Sequence, residues 1–358
     1  MKRADTMNLK TNYMQVPTWS WLKINSAEVA LGNQEIEEQK APVIILPYGV
    51  QMGPLTAAVP QPPESLAPTV KAARESGAAP KQITIPAEQT IIEPIRIQID
   101  LKPGDSLAAE HVHIQAEPGS SATVIVQLTG ENLGGHCGLI TCTAEEGARL
   151  HLIKAQMLGA GATHAHVILG EAAAGADLQI LDVELGGATS ASGCNVRLRG
   201  KESSGNLDCL YLGSGSATLD LNYRIAYEGA LTEGDITVRG ALADESRKTL
   251  RSTLDFITGA AGAKGREDEA VLALSDKVRN LSSPLLLCGE DDVEGQHATN
   301  TGRPDQEKLF YLMSRGLTEN EACRLIVEAS FTPILDKVAD EALRDTMIQR
   351  IREVMRRD

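Results

Sequence analysis

Glycine returns at a near-constant interval through the middle of this chain. Gly119, Gly147, Gly175, Gly205, Gly234 and Gly262 are 28, 28, 30, 29 and 28 residues apart. Most are followed by a short alternating run, as in SATVIVQL at 121, ARLHLIKA at 148, ADLQILDV at 176, NLDCLYL at 206 and DITVRG at 235. Period-two alternation turns one face of a strand inward and the other outward. Half a period later come GLITC at 138, HAHVIL at 164, NVRLRG at 195, LNYRIAYEG at 221 and TLDFITG at 253, so each repeat holds two strands. Two strands and two turns at a fixed period describe one coil of a flattened solenoid that stacks on its predecessor. The expected fold is mainly β, a right-handed parallel β-helix of two sheets, with a β-sandwich as the alternative. The recurring glycines are assigned to the corners, where a positive φ costs them nothing.

The pattern has ends. Residues 1–82 carry Trp19 and Trp21, a strand-like PVIILPYG and the proline-rich GPLTAAVPQPPESLAP, and read as an irregular or partly helical N-terminal segment and linker. The β-helix core is assigned to 83–302. At 303–358 the hydrophobic period becomes helical. Leu309, Leu312 and Met313 share a face, Gly316 is a helix stop, and Thr318 with Glu321 forms a capping box for ENEACRLIVEAS. A last helix from about Asp340 to Arg356 carries a stripe of Leu343, Met347, Ile348, Ile351, Val354 and Met355. Helices this short and apolar need a surface to dock on.

Composition narrows the function. Lys+Arg 34 against Asp+Glu 48 gives a net charge of -14, which opposes binding to nucleic acid or an anionic membrane. The one basic cluster, Arg344, Arg350, Arg352, Arg356 and Arg357, suits the C-terminal end of a helix. The six cysteines, Cys137, Cys142, Cys194, Cys209, Cys288 and Cys323, include no close CxxC pair. The N-terminus lacks a signal-peptide core and no apolar run approaches the roughly 18 residues that span a bilayer, so a cytoplasmic location is expected. Aromatics at 3% argue against a sugar-stacking groove, although a β-helix enzyme acting on polysaccharide remains an alternative, as does a purely structural solenoid.

Chemistry-bearing motifs are few. TGAAGAKGRE lacks the residues of a phosphate loop, so the chain is not expected to hydrolyse ATP. His111-x-His113, His164-x-His166 and the trio His136, Cys137 and Cys142 are read as surface or core-lining residues rather than metal ligands. More informative is CGEDDVEGQHATNTG at 288–302, which sets Glu290, Asp291, Asp292 and Glu294 ahead of His297 where the solenoid stops. A histidine near carboxylates can hold its proton near neutral pH or offer a nitrogen to a metal.

Residues 282–331 carry Asp291-Asp292-Val293, His297-Ala298-Thr299, Leu309-Phe310-Tyr311-Leu312 and Ser314-Arg315-Gly316-Leu317 in order. This run resembles the C-terminal signature of the SufB/SufD family of the SUF iron–sulfur cluster assembly system, with the family core over roughly 84–358. The resemblance implies a non-catalytic scaffold subunit that pairs with a SufB-type paralogue, or with itself in its absence. It also implies docking of a SufC-type ABC ATPase on residues 305–333, with Leu309, Phe310, Tyr311, Arg315 and Gly316 as contacts. His297 matches the histidine assigned to cluster assembly and is a candidate metal ligand. The cysteine of the SufD type just ahead of it is replaced by Gly295 and Gln296, leaving Cys288 as the nearest thiol in sequence. SufB-type cysteines are absent, which favours the SufD role. No tightly bound cofactor is implied, only a transient iron–sulfur cluster at an interface shared with the partner.

Overall fold

The computed structural model describes residues 6–33, 41–76, 78–102, 107–130 and 134–356. An antiparallel pair comes first, β1 (Thr6–Thr11) with β2 (Ala27–Asn33). Two short strands, β3 (Val43–Ile45) and β4 (Gln51–Pro54), precede helix α1 (Ala67–Glu75). The repeats begin with β5 (Lys81–Ile85), β6 (Ile95–Asp100), β7 (Leu107–Ala116), β8 (Ser121–Gly130) and β9 (Gly135–Ala144). They continue as β10 (Arg149–Leu158), β11 (Thr163–Ala172), β12 (Asp177–Glu184), β13 (Thr189–Leu198), β14 (Ser204–Gly213) and β15 (Thr218–Tyr227). The last are β16 (Glu233–Leu242), β17 (Arg247–Phe256), β18 (Ala263–Ala273), β19 (Arg279–Cys288) and β20 (Val293–Gly302). From β5 onward the odd strands form one parallel sheet and the even strands another, nine strands each once β4 and β3 are added antiparallel at the first edge. The β-helix is therefore as the alternation predicts.

The register shows why the interval recurs. Leu150 pairs with Leu178, and Leu207 with Ile236, so equivalent side chains stack coil upon coil. The inward set, including Leu152, Ile168, Leu178, Leu221 and Val238, fills the lumen with aliphatic layers. Runs such as Ile153, Ala155 and Met157 are buried on the outer side as well, and this is why the central strands read as nearly continuous hydrophobic stretches.

The corners differ from expectation at two places. Gly119, Gly147, Gly175 and Gly262 do turn with φ of 66°, 65°, 63° and 76°. Gly205 and Gly234 instead lie inside β14 and β16, and the left-handed corner positions there are held by Glu202 and Leu231, at 59° and 57°. Those two glycines serve close approach: a Cβ on Gly234 would sit 2.5 Å from the Gly205 carbonyl oxygen.

Each outer face is roofed by an opposite end of the chain. Leu9, Val29 and Leu31 of the β1–β2 pair, with Leu66, Val70 and Ala73, pack on Leu139, Val167 and Leu169 of the odd sheet. The N-terminal segment is thus more ordered than its prolines suggest. The even sheet is covered by helices α3 (Glu319–Leu335) and α4 (Glu341–Val354), while α2 (Gln306–Ser314) packs on α3. Asp305 caps α2, and Gly316, at φ 99°, ends that turn. Thr318 and Glu321 form the capping box of α3, with Thr318 N–H donating to Glu321 Oε2 at 2.8 Å. Helix α3 extends past Ser330 because Phe331, Ile334 and Leu335 are buried against the even sheet. On α4 the predicted stripe is buried through Leu343, Met347 and Ile351. Part of the basic cluster is structural: Arg350 donates to the carbonyls of Leu158 at 2.7 Å and Leu185 at 3.2 Å, and Arg352 pairs with Glu328. Arg357 lies outside the described residues.

Candidate functional site

The roofs stop short of the final coil. β19 and β20 end their sheets, so each presents an unpaired strand edge, and β20 is exposed along most of its length. Alternation from Val293, which packs on the lumen core, puts His297 on the lumen side of β20. Its imidazole is exposed because no coil lies above it among the described residues.

One coil deeper the lumen is polar. Glu267 of β18 is the register partner of His297, and Glu269 pairs with Thr299. The Ser252 hydroxyl donates to Glu267 Oε1, and Lys248 donates to Glu269 Oε1 and to Ser282 Oγ, the latter at 2.8 Å. Burial, reinforced by the charge of Glu269, holds the Glu267 carboxyl above the usual range. Burial likewise pulls Lys248 below the usual ammonium range despite its bond to Glu269.

Cys288 is exposed and ends β19 at the corner. A turn and four residues of β20, about 13 Å of extended strand, separate it from His297, so the fold does not set the two side by side. Four of the other thiols are buried in the sheets. Burial pushes Cys137 and Cys142 up to about 12 and raises Cys194 and Cys209 well above their ordinary value, which withdraws them from thiolate chemistry.

The partner-contact candidates fall on two sides of α2. Phe310 and Tyr311 are 75% and 56% exposed, and Arg315 lies over the Tyr311 ring at 5.3 Å. Leu309 is buried and anchors the helix rather than presenting a surface. Gly316 shapes the turn into α3, whose Leu325 is also exposed.

A second polar group lies deep in the lumen, where His136, His164 and His166 are core-lining, one of the two readings that the sequence allows; their grouping with Glu110 is not given by the sequence. His136, His164 and His166 stack with ring centroids 4.9–6.0 Å apart, and His136 Nε2 is 2.5 Å from Glu110 Oε2. Farther along, Lys154 meets Asp182 at 2.7 Å and also Glu184. Burial, then the charge of Lys154, holds His164 well below the ordinary imidazole range, and burial also lowers His166. Burial of Glu110 would raise it, but the neighbouring His136 and His166 more than reverse this and hold it low. The rings are nearly parallel, tilted by 13–20°, and His136 Nδ1 lies 2.9 Å from His164 Nδ1. The signal was available: His136 and His164 are one period apart and pair in register. His111 and His113, by contrast, face outward, and His113 bonds Thr141 and Gln115.

The family model described as "SUF system FeS cluster assembly, SufBD core domain" matches residues 99–330. The chain is 31% identical over 153 residues to the iron–sulfur cluster assembly protein SufD of Bacillus subtilis, covering 43% of this chain and 35% of that protein. It is 23% identical over 244 residues to SufD of Escherichia coli, covering 67% and 57%. A SufBD family protein of Mycobacterium leprae is 27% identical over 280 residues, covering 75% and 70%. Helix α2 and the whole of β20 fall within the matched region, which ends inside α3.

Proposed function

Because the chain belongs to the SufBD core family of the SUF iron–sulfur cluster assembly system and is SufD-like within it, we propose that it is a scaffold subunit on which a cluster is built and from which it is passed on. It pairs through the open end of the β-helix with a SufB-type chain, or with a second copy of itself where none is available. Helices α2 and α3 dock a SufC-type ABC ATPase, which supplies the ATP hydrolysis that this chain, lacking a phosphate loop, does not perform. The cluster is cargo, held transiently at the shared interface in the cytoplasm.

The observation that carries this reading is the position of His297, exposed on a terminal strand whose outer edge is unpaired and next in the chain to the exposed aromatic face of α2. An edge strand offers its backbone to a partner, so a side chain there meets whatever the partner brings. With Cys288 at a corner and Cys137, Cys142, Cys194 and Cys209 buried, sulfur ligands come from the partner.

The test is co-expression of the full chain with a SufB-type chain and a SufC-type ATPase, followed by anaerobic reconstitution. His297→Ala should leave the three-chain complex intact and lower bound iron and sulfide at least fivefold. Equal iron and sulfide contents in the variant and the parent would overturn the role of His297. Failure of the three chains to co-elute would overturn the scaffold reading.

A further inference from the structure

The loop that joins β1 to β2 is firmly fastened, yet it turns its largest apolar side chains to water. Asn12 donates to Asp220 Oδ1 at 2.8 Å, and Asn222 donates to the Tyr13 carbonyl at 3.0 Å. Arg251 donates to the Ile24 carbonyl and, at 2.6 Å, to Asp220 Oδ1. These four side chains are buried. Within the loop the Thr18 N–H donates to Asn25 Oδ1 at 2.8 Å, and Asn25 Nδ2 returns a bond to the Thr18 carbonyl at 2.7 Å. The backbone carrying Trp19 and Trp21 is thus held at both ends, on β15 and on β17. The two indoles are each 71% exposed, and they are the only tryptophans of the chain. The roof does not use them, since its apolar contacts come from Leu9, Val29, Leu31 and α1. Tryptophan dominates protein–protein hot spots, and a backbone fixed in advance spares a complex the cost of ordering it.

Position and charge identify the partner. From Asn12 at β15 to Ile24 at β17 the loop advances toward the open end, and the register partner of Arg251 on the terminal strand β19 is Ser283. Leu286 packs on the lumen core, so alternation puts Leu281 on the same outward face as Ser283. Leu281 is 42% exposed, and Arg279 beside it is exposed as well. Residues 13–27 hold one cation, Lys23, and no acid, in a chain of net charge -14. The surface is therefore apolar and basic, and it fits a partner face that is apolar and acidic. Resting on the reading of this chain as a scaffold that pairs through its open end, we propose that Trp19 and Trp21, with Leu281, are a second contact surface for the SufB-type chain, which reaches past the open end along the outside of the odd sheet. The ATPase is assigned to α2 and α3, and α3 packs on the even sheet, so the two partners approach from opposite sides.

The full chain is grown with 5-fluorotryptophan, and its two fluorine signals are assigned with Trp19→Phe and Trp21→Phe. Unlabelled SufB-type chain and SufC-type ATPase are then added separately and together. Both signals should shift and lose their difference between H2O and D2O when the SufB-type chain binds, and keep their free positions with the ATPase alone. The double variant Trp19→Ala, Trp21→Ala should melt within a degree or two of the parent and bind the SufB-type chain at least tenfold more weakly. Signals that stay open to solvent in the three-chain complex, or equal affinity in the double variant, would sink the surface and spare the scaffold reading. Shifts that come with the ATPase alone would give the surface to the ATPase, and shifts that come with rising concentration of the chain alone would give it to a second copy; either overturns the proposal. Failure of the parent chains to co-elute would sink the scaffold reading and the surface with it.

Discussion

Lys337 donates to both carboxylate oxygens of Asp208, at 2.8 and 2.7 Å, and so ties the turn after α3 to the outer face of β14. Asp208 is buried while Lys337 is 45% exposed on its side chain, so solvent screens part of the attraction. Lys337→Ala should cost about 1 kcal/mol in urea unfolding and increase hydrogen exchange in α3 and α4 ahead of the β-helix. Uniform exchange along the chain would count against this tether.

Phe331 and Phe310 separate packing from recognition. Phe331 is wholly buried between α3 and the even sheet, and Phe331→Ala should destabilise by about 3–5 kcal/mol. Phe310 is largely exposed, so Phe310→Ala should leave the melting temperature within a degree or two and weaken co-elution with the ATPase at least fivefold. Undiminished co-elution would remove α2 from the docking surface.

Stability should fall on both sides of neutrality. His111, His113, His151, His164 and His166 have folded pKa values below the ordinary 6.5. The unfolded chain therefore binds more protons as pH drops below about 6.5, and stability is lost by up to about 1.4 kcal/mol per pH unit for each buried imidazole. The raised carboxyls of Asp220, Asp235 and Glu267 act in the opposite sense but are fewer. On the alkaline side Cys137 and Cys142 keep their protons in the fold while the unfolded thiols lose theirs, so stability declines above about pH 9. Urea midpoints from pH 5 to 10 would show a plateau between these limits, and His164→Gln should flatten the acid limb. An acid limb of unchanged slope in that variant would rule His164 out as a cause.

A thiol reagent should label the native chain quickly at Cys288 and slowly at the half-buried Cys323, with Cys137, Cys142, Cys194 and Cys209 protected until unfolding. Rapid labelling of Cys142, Cys194 or Cys209 would mean that the lumen opens in solution, and of Cys137 that the β1–β2 roof lifts.

The β-helix and its helical tail are legible in the sequence because period-two alternation, the recurring interval and the capping box of Thr318 and Glu321 are local signals. Glu202 and Leu231 at left-handed corners are not, because stacking on adjacent coils holds them there against their own preference. Phe310 and Leu309 are neighbours in sequence with opposite fates, a distinction set by where α2 docks. His297 is marked by its motif, yet Glu267 lies 30 residues earlier and is found only once the β18–β20 register is known.

The two roofs come from opposite ends of the chain, and this has a consequence for synthesis on the ribosome. The odd sheet can be covered as its strands emerge, since the β1–β2 pair and α1 are made first. The even sheet cannot. Ile125, Ile153, Leu181 and Leu210 wait for Phe331 and Met347, which emerge more than a hundred residues later, so the nascent chain carries an uncovered apolar wall through most of its translation. Such a surface is prone to misassociation, and the completed tail closes it as the last act of folding.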